Sequence, residues 1–462
     1  MRRIRAVDGR DGAARTLGMA SSTAAPTWAD GGFWEGIRRD VASAFGMPPA
    51  AYADGDFFAA EQRRLFGRAW VGVALAAELA APGRLLVRSV GGRSVVLTRS
   101  GDRIRGFLNS CRHRGTELAE ADCDIGSTIR CPYHRWGYGT DGRLVSAPLF
   151  DSVPREDFDR ADWGLVPVRV ETWGPVVFAC LDERTPPLGE WLGDLADRMS
   201  GYGLEEWRPI ALTASPHDGD ASAAATSTST CTFDVAANWK LVAENFAEYY
   251  HLGWVHPQLA KVSRVKDHYR YQGPGMYCGQ TTTPVSGDQR DDWLTLPPAA
   301  GLDHSDATSG RFVTLFPNVL LSVLPNHVFV VLLEAVTAGR TIEHCAFLFP
   351  PGPATDPVPP AAVVRAFEVT RRFWIEVNDE DIDICERAQR GLSRGGVPPG
   401  PLAPRFEEPV NRFHKMVADL MTLESMTDLS VPPGDRPGPA DRYGTALNPA
   451  PPHIEASAPE PG

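Results

Sequence analysis

Two cysteines and two histidines stand in a short stretch of the first third of the chain, and all four are side chains that bind transition metals. Cys111 and His113 form the pattern C-x-H, and Cys131 and His134 form the pattern C-x-x-H. Each pair therefore combines one soft thiolate with one imidazole. The stretch predicts a metal centre held by two neighbouring loops, each of which supplies both kinds of ligand.

The mixed pairs help to decide which metal centre fits. Structural zinc sites favour two cysteines close together, followed by two histidines or two more cysteines. A Rieske-type [2Fe–2S] cluster has two cysteines on one iron and two histidines on the other. If each loop gives one ligand to each iron, mixed pairs result. We therefore favour the iron–sulfur cluster over two alternatives, a zinc site and a set of buried side chains that bind no metal.

A second set of candidate ligands lies in the segment NWKLVAENFAEYYHLGWVHP. His251 and His256 are five residues apart, so on a regular helix their side chains would diverge by about 140°. They can bind one ion only if the helix ends or deforms between them, which Gly253 and Pro257 favour. Glu248 lies three residues before His251, at the spacing of one helical face.

The two histidines would need a carboxylate to complete a known iron site. Two histidines and one carboxylate, with open positions beside them, form the facial triad of mononuclear iron(II) oxygenases. The best source is the acidic run NDEDIDICERAQRGL, which offers Asp379, Asp381 and Asp383. A charge run of this kind also suits the solvated face of a helix. From the residues alone, both interpretations stay open.

Short β-like runs separated by turn residues flank the first set of ligands and indicate a small antiparallel β domain. The second half combines β-like runs with two helix-like segments, which indicates an antiparallel sheet with helices on one face. The fold class is therefore α+β. The predicted strands cover residues 84–90, 93–100, 103–109, 127–131, 165–173, 175–182, 311–324, 327–336 and 340–349.

Composition divides the chain further. Both ends and an internal stretch are rich in small residues and proline or in serine and threonine, so they have little to bury. The predicted parts are a disordered tail at 1–30, a helical segment at 31–60, the cluster domain at 61–185, the iron domain at 186–433 with a flexible insertion at 213–230, and a second tail at 434–462.

The charge and the hydropathy of the chain exclude several classes of protein. A net charge of −12 over 462 residues, without a basic run, argues against a nucleic-acid partner. No stretch of 18 or more apolar residues exists, so we expect no membrane span. The eight cysteines are scattered and the start lacks an apolar signal core. We therefore expect no disulfide framework and a cytoplasmic location.

The motifs resemble those of one known family. The segment CRHRG…CPYHRWGYGTDGRLVSAP is similar to the cluster-binding segment of Rieske non-heme iron oxygenases, the terminal alpha subunits of ring-hydroxylating and related oxygenases. The patterns NWK-x3-EN-x2-E-x-YH-x4-H and ED-x4-E-x2-Q-x-G are similar to motifs of their catalytic domain, whose sheet and helices form a helix-grip fold. The resemblance covers roughly residues 45–430.

This resemblance implies roles for individual residues. Asn245 matches a motif asparagine near the iron, and Glu248 matches the acid that links a cluster-binding histidine of a neighbouring subunit to the iron site. The implied ligands are Cys111, His113, Cys131 and His134 for the cluster and His251, His256 and Asp381 for the mononuclear iron, with Asp379 or Asp383 as alternatives to Asp381.

The resemblance also implies a reaction. Electrons from NAD(P)H would reach the cluster through a separate reductase, in some systems with a ferredoxin, and O2 would be activated at Fe(II) in a homotrimer. The substrate would be an aromatic or alicyclic compound that is hydroxylated, or a quaternary ammonium compound that loses a methyl group by C–N cleavage. Glutamate at 248 favours the second class, for which Tyr269, Tyr271, Tyr277 and Trp293 are candidate cage residues. The alternative is a Rieske-type electron carrier without chemistry of its own.

Overall fold

The computed structural model describes residues 28–150, 157–210, 229–282, 296–356 and 359–426. Most of the predicted insertion at 213–230, nearly all of the first tail, and the whole of the second tail lie outside these residues. Within the described ranges, no helix is both long and apolar enough to cross a membrane.

The strands of the first half form the antiparallel β domain that the sequence predicts. They pair in the order β1-β10-β9-β4-β3-β2-β5, with a small second sheet in the order β6-β7-β8. Gly91 and Gly92 form the two-residue turn between β2 and β3, and both have the positive φ that such a turn requires. The strands are β1 (Val71–Leu75), β2 (Arg84–Val90), β3 (Arg93–Ser100), β4 (Arg103–Leu108), β5 (Cys123–Asp124), β6 (Thr128–Arg130), β7 (Gly137–Gly139), β8 (Leu144–Ser146), β9 (Pro167–Trp173) and β10 (Val176–Cys180).

The strands of the second half form one larger antiparallel sheet. Their order is β11-β18-β17-β16-β15-β14-β13, and β12 also pairs with β18. The α+β fold class is thereby confirmed, because this sheet carries helices against it. The strands are β11 (Arg208–Pro209), β12 (Thr230–Val235), β13 (His268–Arg270), β14 (Tyr277–Thr282), β15 (Gly310–Leu315), β16 (Val319–Val323), β17 (Val328–Thr337) and β18 (Arg340–Phe349).

Helices lie before, between and after the strands. The α-helices are α1 (Gly31–Trp34), α2 (Ala50–Ala53), α3 (Gly55–Glu61), α4 (Leu188–Leu192), α5 (Leu195–Arg198), α6 (Trp239–Ala247), α7 (Leu252–Val255), α8 (Leu259–Val262), α9 (His304–Thr308), α10 (Ala361–Ser393) and α11 (Glu408–Thr422). A π-helical turn, Gln62–Phe66, follows α3 directly, and short 3-10 turns occupy Val41–Ser43, Ala76–Leu79, Arg160–Trp163, Ser200–Tyr202, Leu204–Glu206 and Val265–Asp267.

The long helix α10 buries one stripe of side chains against α6 and the larger sheet. The buried residues recur at the three- and four-residue steps of an amphipathic helix. They are Phe367, Thr370, Trp374, Val377, Cys385 and Gln389. Asp381 stands four residues from both Val377 and Cys385, so it shares this buried stripe, whereas Asp379 and Asp383 do not.

Hydrogen bonds fix α6 and α10 to the helical segment that precedes the first sheet. The side chain of Asn238 caps α6 by accepting from the backbone amide of Lys240, and the backbone amide of Asn238 donates to Gln389 Oε1 at 2.9 Å. Gln389 Nε2 in turn donates to the carbonyl of Tyr52 at 3.1 Å. Three segments distant in sequence are thereby held in one arrangement near the histidines.

A buried ion pair reinforces the same junction. Lys240 Nζ lies 2.6 Å from Glu61 Oε1, and neither side chain is exposed to solvent. The ammonium also lies 5.1 Å from the ring centre of Trp239, at the distance of a cation–π contact. Two buried charges are tolerated here because each satisfies the other.

We expect Lys240→Met to lower the free energy of unfolding by about 3–5 kcal/mol, because it leaves the Glu61 carboxylate buried without its partner. The measurement is urea unfolding followed by circular dichroism. Arg39→Ala is the matched control: it breaks the pair with Glu35, whose side chains are 44% and 71% exposed, and should cost at most about 1 kcal/mol. Equal losses in the two variants would contradict the expectation.

Candidate active site

The two loops that carry the cysteine and histidine pairs have the same backbone geometry. The amide of Cys111 donates to the carbonyl of Thr116 at 2.8 Å, and the amide of Cys131 donates to the carbonyl of Trp136 at 2.9 Å. Each cysteine therefore closes a loop onto the residue five positions later. The pattern of two equivalent loops that the mixed pairs suggested is present in the backbone.

In each loop the residue four positions after the cysteine has a left-handed backbone conformation. Gly115, four residues after the first cysteine, has φ 71°, and Arg135, four residues after the second, has φ 60°. The amide of each donates back to the cysteine carbonyl. A glycine adopts this conformation without strain, whereas a non-glycine residue there is unusual. The sequence alone gave no sign that Arg135 takes the role of the glycine.

The four predicted ligands converge between these loops. Cys111 and Cys131 are buried, with side chains that contact each other. The rings of His113 and His134 lie 4.6 Å apart between centres, and His113 stacks on Trp136 at 4.9 Å. His113 Nδ1 is buried and has no hydrogen-bond partner among the described residues. Two buried thiols beside an imidazole nitrogen without a partner fit a cluster that both would bind.

Tyr138 approaches the first cysteine and was not predicted as a site residue. Its hydroxyl oxygen accepts a hydrogen bond from the amide of Arg112 at 3.1 Å, and it lies 3.2 Å from Cys111 Sγ. Because the oxygen already accepts from the amide, the hydroxyl proton is free to point at the sulfur. Burial and the neighbouring thiol raise the pKa of Tyr138 above its ordinary value, so the proton stays on the oxygen.

Two helix ends bring the second set of ligands together. The sequence predicted only the end between the histidines, where α7 stops at Val255 before Pro257, while Gly253 lies inside α7. Helix α6 ends at Ala247, and the four-residue helix α7 stands between His251 and His256. Glu248 does not share a helical face with His251, contrary to the expectation, since it lies in an extended conformation just after α6. It reaches the histidine through a tight turn instead, in which its carboxylate accepts from the amides of Tyr250 and His251.

Asp381 meets both histidines. Its Oδ1 atom lies 3.0 Å from His256 Nε2 and 3.5 Å from His251 Nε2, and the three ligand atoms lie within 4.8 Å of one another. Asp383 instead pairs with Arg387 on an exposed part of α10, and Asp379 lies on the outer side of that helix. The geometry thus favours Asp381 among the three acids that the sequence offered.

A carboxylate contacts the Nδ1 atom of each imidazole, on the ring edge that faces away from Asp381, and so orients the ring. Glu248 Oε1 accepts from His251 Nδ1, and Glu380 Oε2 accepts from His256 Nδ1 at 2.8 Å. Glu380 was missed in the sequence, although it stands next to Asp381. Since a carboxylate can only accept, both Nδ1 atoms carry a proton, and in the neutral form of each ring Nε2 presents a lone pair toward Asp381.

A positive charge between the three groups, either a metal ion or a proton on His256 Nε2, would stabilise this arrangement. Asp381 Oδ1 is buried and accepts no hydrogen bond from the described residues, while two nitrogen lone pairs face it. Burial by itself lowers the pKa of His256, but the carboxylates of Asp381 and Glu380 outweigh it and raise that pKa above its ordinary value. Two imidazoles and one carboxylate around one point fit a mononuclear iron(II) ion.

A chamber opens beside this point, and Asn245 lies on its wall. It is largely apolar, and its wall includes Asn245, Phe246, Phe329, Glu343, Trp374 and Asp381. A second cavity shares Asn245 and Asp381 with the chamber and continues past both histidines. The site residues that the sequence placed on two separate motifs therefore face one space.

The tyrosines proposed as a cation cage do not line this chamber. The hydroxyl of Tyr277 donates to Asp194, and the ring of Tyr271 lies beside Arg198 and Arg311. Neither of these rings, nor that of Tyr269, borders the two cavities at the histidines. Trp293 lies outside the described residues. The aromatic side chains of the chamber come instead from α6, β17 and α10.

Two family models match the chain in the order of its two sites. Residues 69–157 match the Rieske [2Fe-2S] domain, and residues 222–423 match the catalytic domain of the ring hydroxylating alpha subunit. The first match contains the cysteine and histidine loops, and the second contains both histidines and Asp381.

Relatives of known function resemble most of the chain. The glycine betaine monooxygenase oxygenase subunit of Pseudomonas aeruginosa is 27% identical over 402 residues, which cover 80% of this chain and 87% of that protein. The N,N-dimethyl phenylurea N-demethylase subunit alpha of a Sphingobium strain is 33% identical over 298 residues, 61% of this chain and 62% of that one. A solved quaternary ammonium Rieske monooxygenase, studied for carnitine oxidation and inter-subunit electron transfer, superposes with a TM-score of 0.65 at 26% identity, covering 82% of this chain and 96% of that chain.

We expect Glu380→Ala to weaken Fe(II) binding at the histidines by about 10- to 100-fold, because His256 loses the carboxylate that fixes its proton and its orientation. Anaerobic iron titration gives the affinity. Asp383→Asn is the matched control, since it removes an exposed acid from the same helix and should leave the affinity unchanged. Iron binding at the wild-type level in Glu380→Ala would show that the contact is dispensable.

We expect Tyr138→Phe to lower the reduction potential of the cluster. A hydrogen bond to a cysteine sulfur favours the more negative, reduced form, and the variant removes that bond. A redox titration followed by the visible spectrum measures the change. Tyr133→Phe, which alters an exposed ring beside His134, serves as the control and should leave the potential in place.

Proposed function

The chain belongs to the Rieske non-heme iron oxygenases as a terminal oxygenase alpha subunit, and on that premise we propose that it removes methyl groups from the nitrogen of an organic substrate. The observation that carries the proposal is the convergence of His251, His256 and Asp381 beside an apolar chamber. A pure electron carrier is not favoured, because a carrier needs neither the second site nor the chamber.

The cofactors of this family are a Rieske cluster and a mononuclear iron, and we assign their ligands from the geometry. Cys111, Cys131, His113 and His134 would hold the cluster, and His251, His256 and Asp381 would hold the iron. When bound, these groups supply single electrons and the activation of O2. The chain's own part is to hold the imidazole protons on Nδ1 through Glu248 and Glu380, and to present Asn245 to the substrate space.

Electrons would come from NAD(P)H through a separate reductase, with or without a ferredoxin, and would cross between subunits of a homotrimer. Large aromatic side chains are exposed next to both sites: Tyr133 beside the cluster loop at 58%, and Trp254 between the two histidines at 86%. A neighbouring subunit that covered these two rings would bury apolar surface next to both sites. In the trimer His134 of one subunit would face Glu248 of the next, as the solved relative's inter-subunit electron transfer suggests.

The proposed reaction breaks a C–N bond after one C–H bond is hydroxylated. One O2, two electrons and two protons convert an N–CH3 group to N–CH2OH and release one water. The carbinolamine then collapses, its C–N bond breaks, and the products are the demethylated amine and formaldehyde. The relatives named above act on betaine, on carnitine and on a dimethyl phenylurea, and these substrates share an N-methyl group.

The test is a single-turnover reaction of the holoenzyme. The protein is reduced, freed of reductant and exposed to O2 with methylated amines and aromatic acids, and the products are identified by mass spectrometry. We expect formaldehyde and the demethylated amine from at least one methylated compound. A hydroxylated ring or a cis-diol, without formaldehyde, would contradict demethylation and would favour aromatic hydroxylation.

The metal content gives the control for this reaction. The wild type should contain roughly three irons and two acid-labile sulfides per chain. Asp381→Ala should lose roughly one iron, keep the visible spectrum of the cluster and form no product. Loss of the cluster together with the third iron would argue against two separate metal sites.

A further inference from the structure

A carboxyl group is buried in the wall of the chamber, where the surroundings are otherwise apolar. Glu343 lies on β18 and is only 2% exposed. Around it the chamber presents Phe246, Phe329, Trp374 and aliphatic side chains. Burying a carboxyl group in such a place is costly unless it has a partner. Its position therefore calls for an explanation.

The described part of the protein supplies one hydrogen bond to the Glu343 carboxylate but no charged partner. Asn378 Nδ2 donates to Glu343 Oε2 at 2.7 Å, and no lysine or arginine of the described residues pairs with this carboxylate. Burial raises the pKa of Glu343 to about 7, although the hydrogen bond from Asn378 opposes the rise. A neighbouring positive charge would stabilise the ionised form.

The other buried acids among the described residues each have a cation from the protein itself. Glu61 pairs with Lys240 at 2.6 Å, and Asp306 pairs with Arg311 at 2.5 Å. Glu343 differs from both because its open side is the chamber. The cation that completes this site would therefore come from a molecule in the chamber.

The aromatic wall suits such a cation. The rings of Phe329 and Trp374 stack at 6.0 Å between centres, and Trp374 Nε1 donates to His327 Nε2 at 2.7 Å. The polar edge of the indole is thus occupied. Its face and the ring of Phe329 are surfaces to which an alkylammonium is attracted.

In the described part of the chain, the same walls offer no cationic side chain to an anion. No lysine or arginine of the described residues lines the chamber or the cavity that joins it at Asp381. The carboxylate of a zwitterionic substrate would lose water there and find only uncharged donors such as Asn245 and Ser322, which compensate a buried charge less well than a lysine or an arginine would.

The carboxyl group is also tied to the predicted iron site. Asn378, its hydrogen-bond donor, stands three residues before Asp381, so both side chains extend from one face of α10. A nitrogen held at Glu343 would therefore keep its methyl groups on the side of the chamber that contains Asp381.

We infer that the chamber selects a substrate with a positively charged, methylated nitrogen and no anionic group, and that Glu343 is the specificity-determining residue. This inference rests on the proposed demethylation and narrows its substrate class. A protein that selects a zwitterionic substrate would instead need a cationic side chain for the substrate's carboxylate.

The test compares three ligands of similar size by calorimetry with the reduced, anaerobic holoenzyme. They are the cation N,N-dimethylbenzylamine, the neutral N,N-dimethylbenzamide and the zwitterion 4-(dimethylaminomethyl)benzoate. We expect the cation to bind at least about tenfold more tightly than either of the others. In Glu343→Gln this preference should fall by at least about tenfold, with unchanged affinity for the neutral amide.

Glu334→Gln is the matched control. Glu334 stands on the neighbouring strand β17, pairs with His344 at 2.9 Å and does not line the chamber, so its loss should leave all three affinities unchanged. Iron content and cluster spectrum are measured for both variants. If Glu343→Gln does not fold, the order of the three affinities in the wild type decides by itself.

Tighter binding of the zwitterion, or an unchanged preference in Glu343→Gln, would overturn the inference. Formaldehyde from the zwitterion alone would likewise overturn it and leave the proposed demethylation intact. Absence of formaldehyde from every methylated amine would instead remove the proposed function, whatever the order of the affinities.

Discussion

Three acceptor atoms facing one point set the central constraint of this molecule. Asp381 Oδ1 and the Nε2 atoms of His251 and His256 would repel one another without a cation between them, because the imidazole protons are committed to Glu248 and Glu380. The segments that carry these groups must resist that repulsion. Much of the surrounding structure can be understood as the support that holds them.

The support is built from contacts between distant segments. Asn238 and Gln389 connect the start of α6 to α10 and to the backbone at Tyr52, and the buried pair of Lys240 with Glu61 connects α6 to α3. These contacts are made with polar groups inside a largely apolar core. A buried polar group is stable only with its partner in place, so each contact specifies one arrangement of the helices.

Most buried acids of the described residues have a cationic partner within the protein, and Glu343 in the chamber wall is the exception. Glu248 and Glu380 accept hydrogen bonds from the histidines of the predicted iron site. Buried acids elsewhere, such as Glu61 and Asp306, form ion pairs with a lysine or an arginine. Glu343 has an amide and an open chamber. The proposed substrate site and the proposed iron site therefore share one physical principle, since a positive charge that the chain does not supply would complete each of them.

The bounds of several strands and helices could be predicted from the sequence alone. Strands β2, β3 and β18 have the bounds that their apolar runs predict, and α7 ends at Val255, shortly before Pro257. The choice of Asp381 over Asp379 and Asp383 needed the structure, in which Asp381 shares the buried stripe of α10 and meets both histidines. Only the tertiary structure brought Glu380 to His256, Tyr138 to Cys111 and Glu343 to the chamber. Those contacts join residues far apart in the chain, and no local periodicity records which distant group a polar side chain will meet.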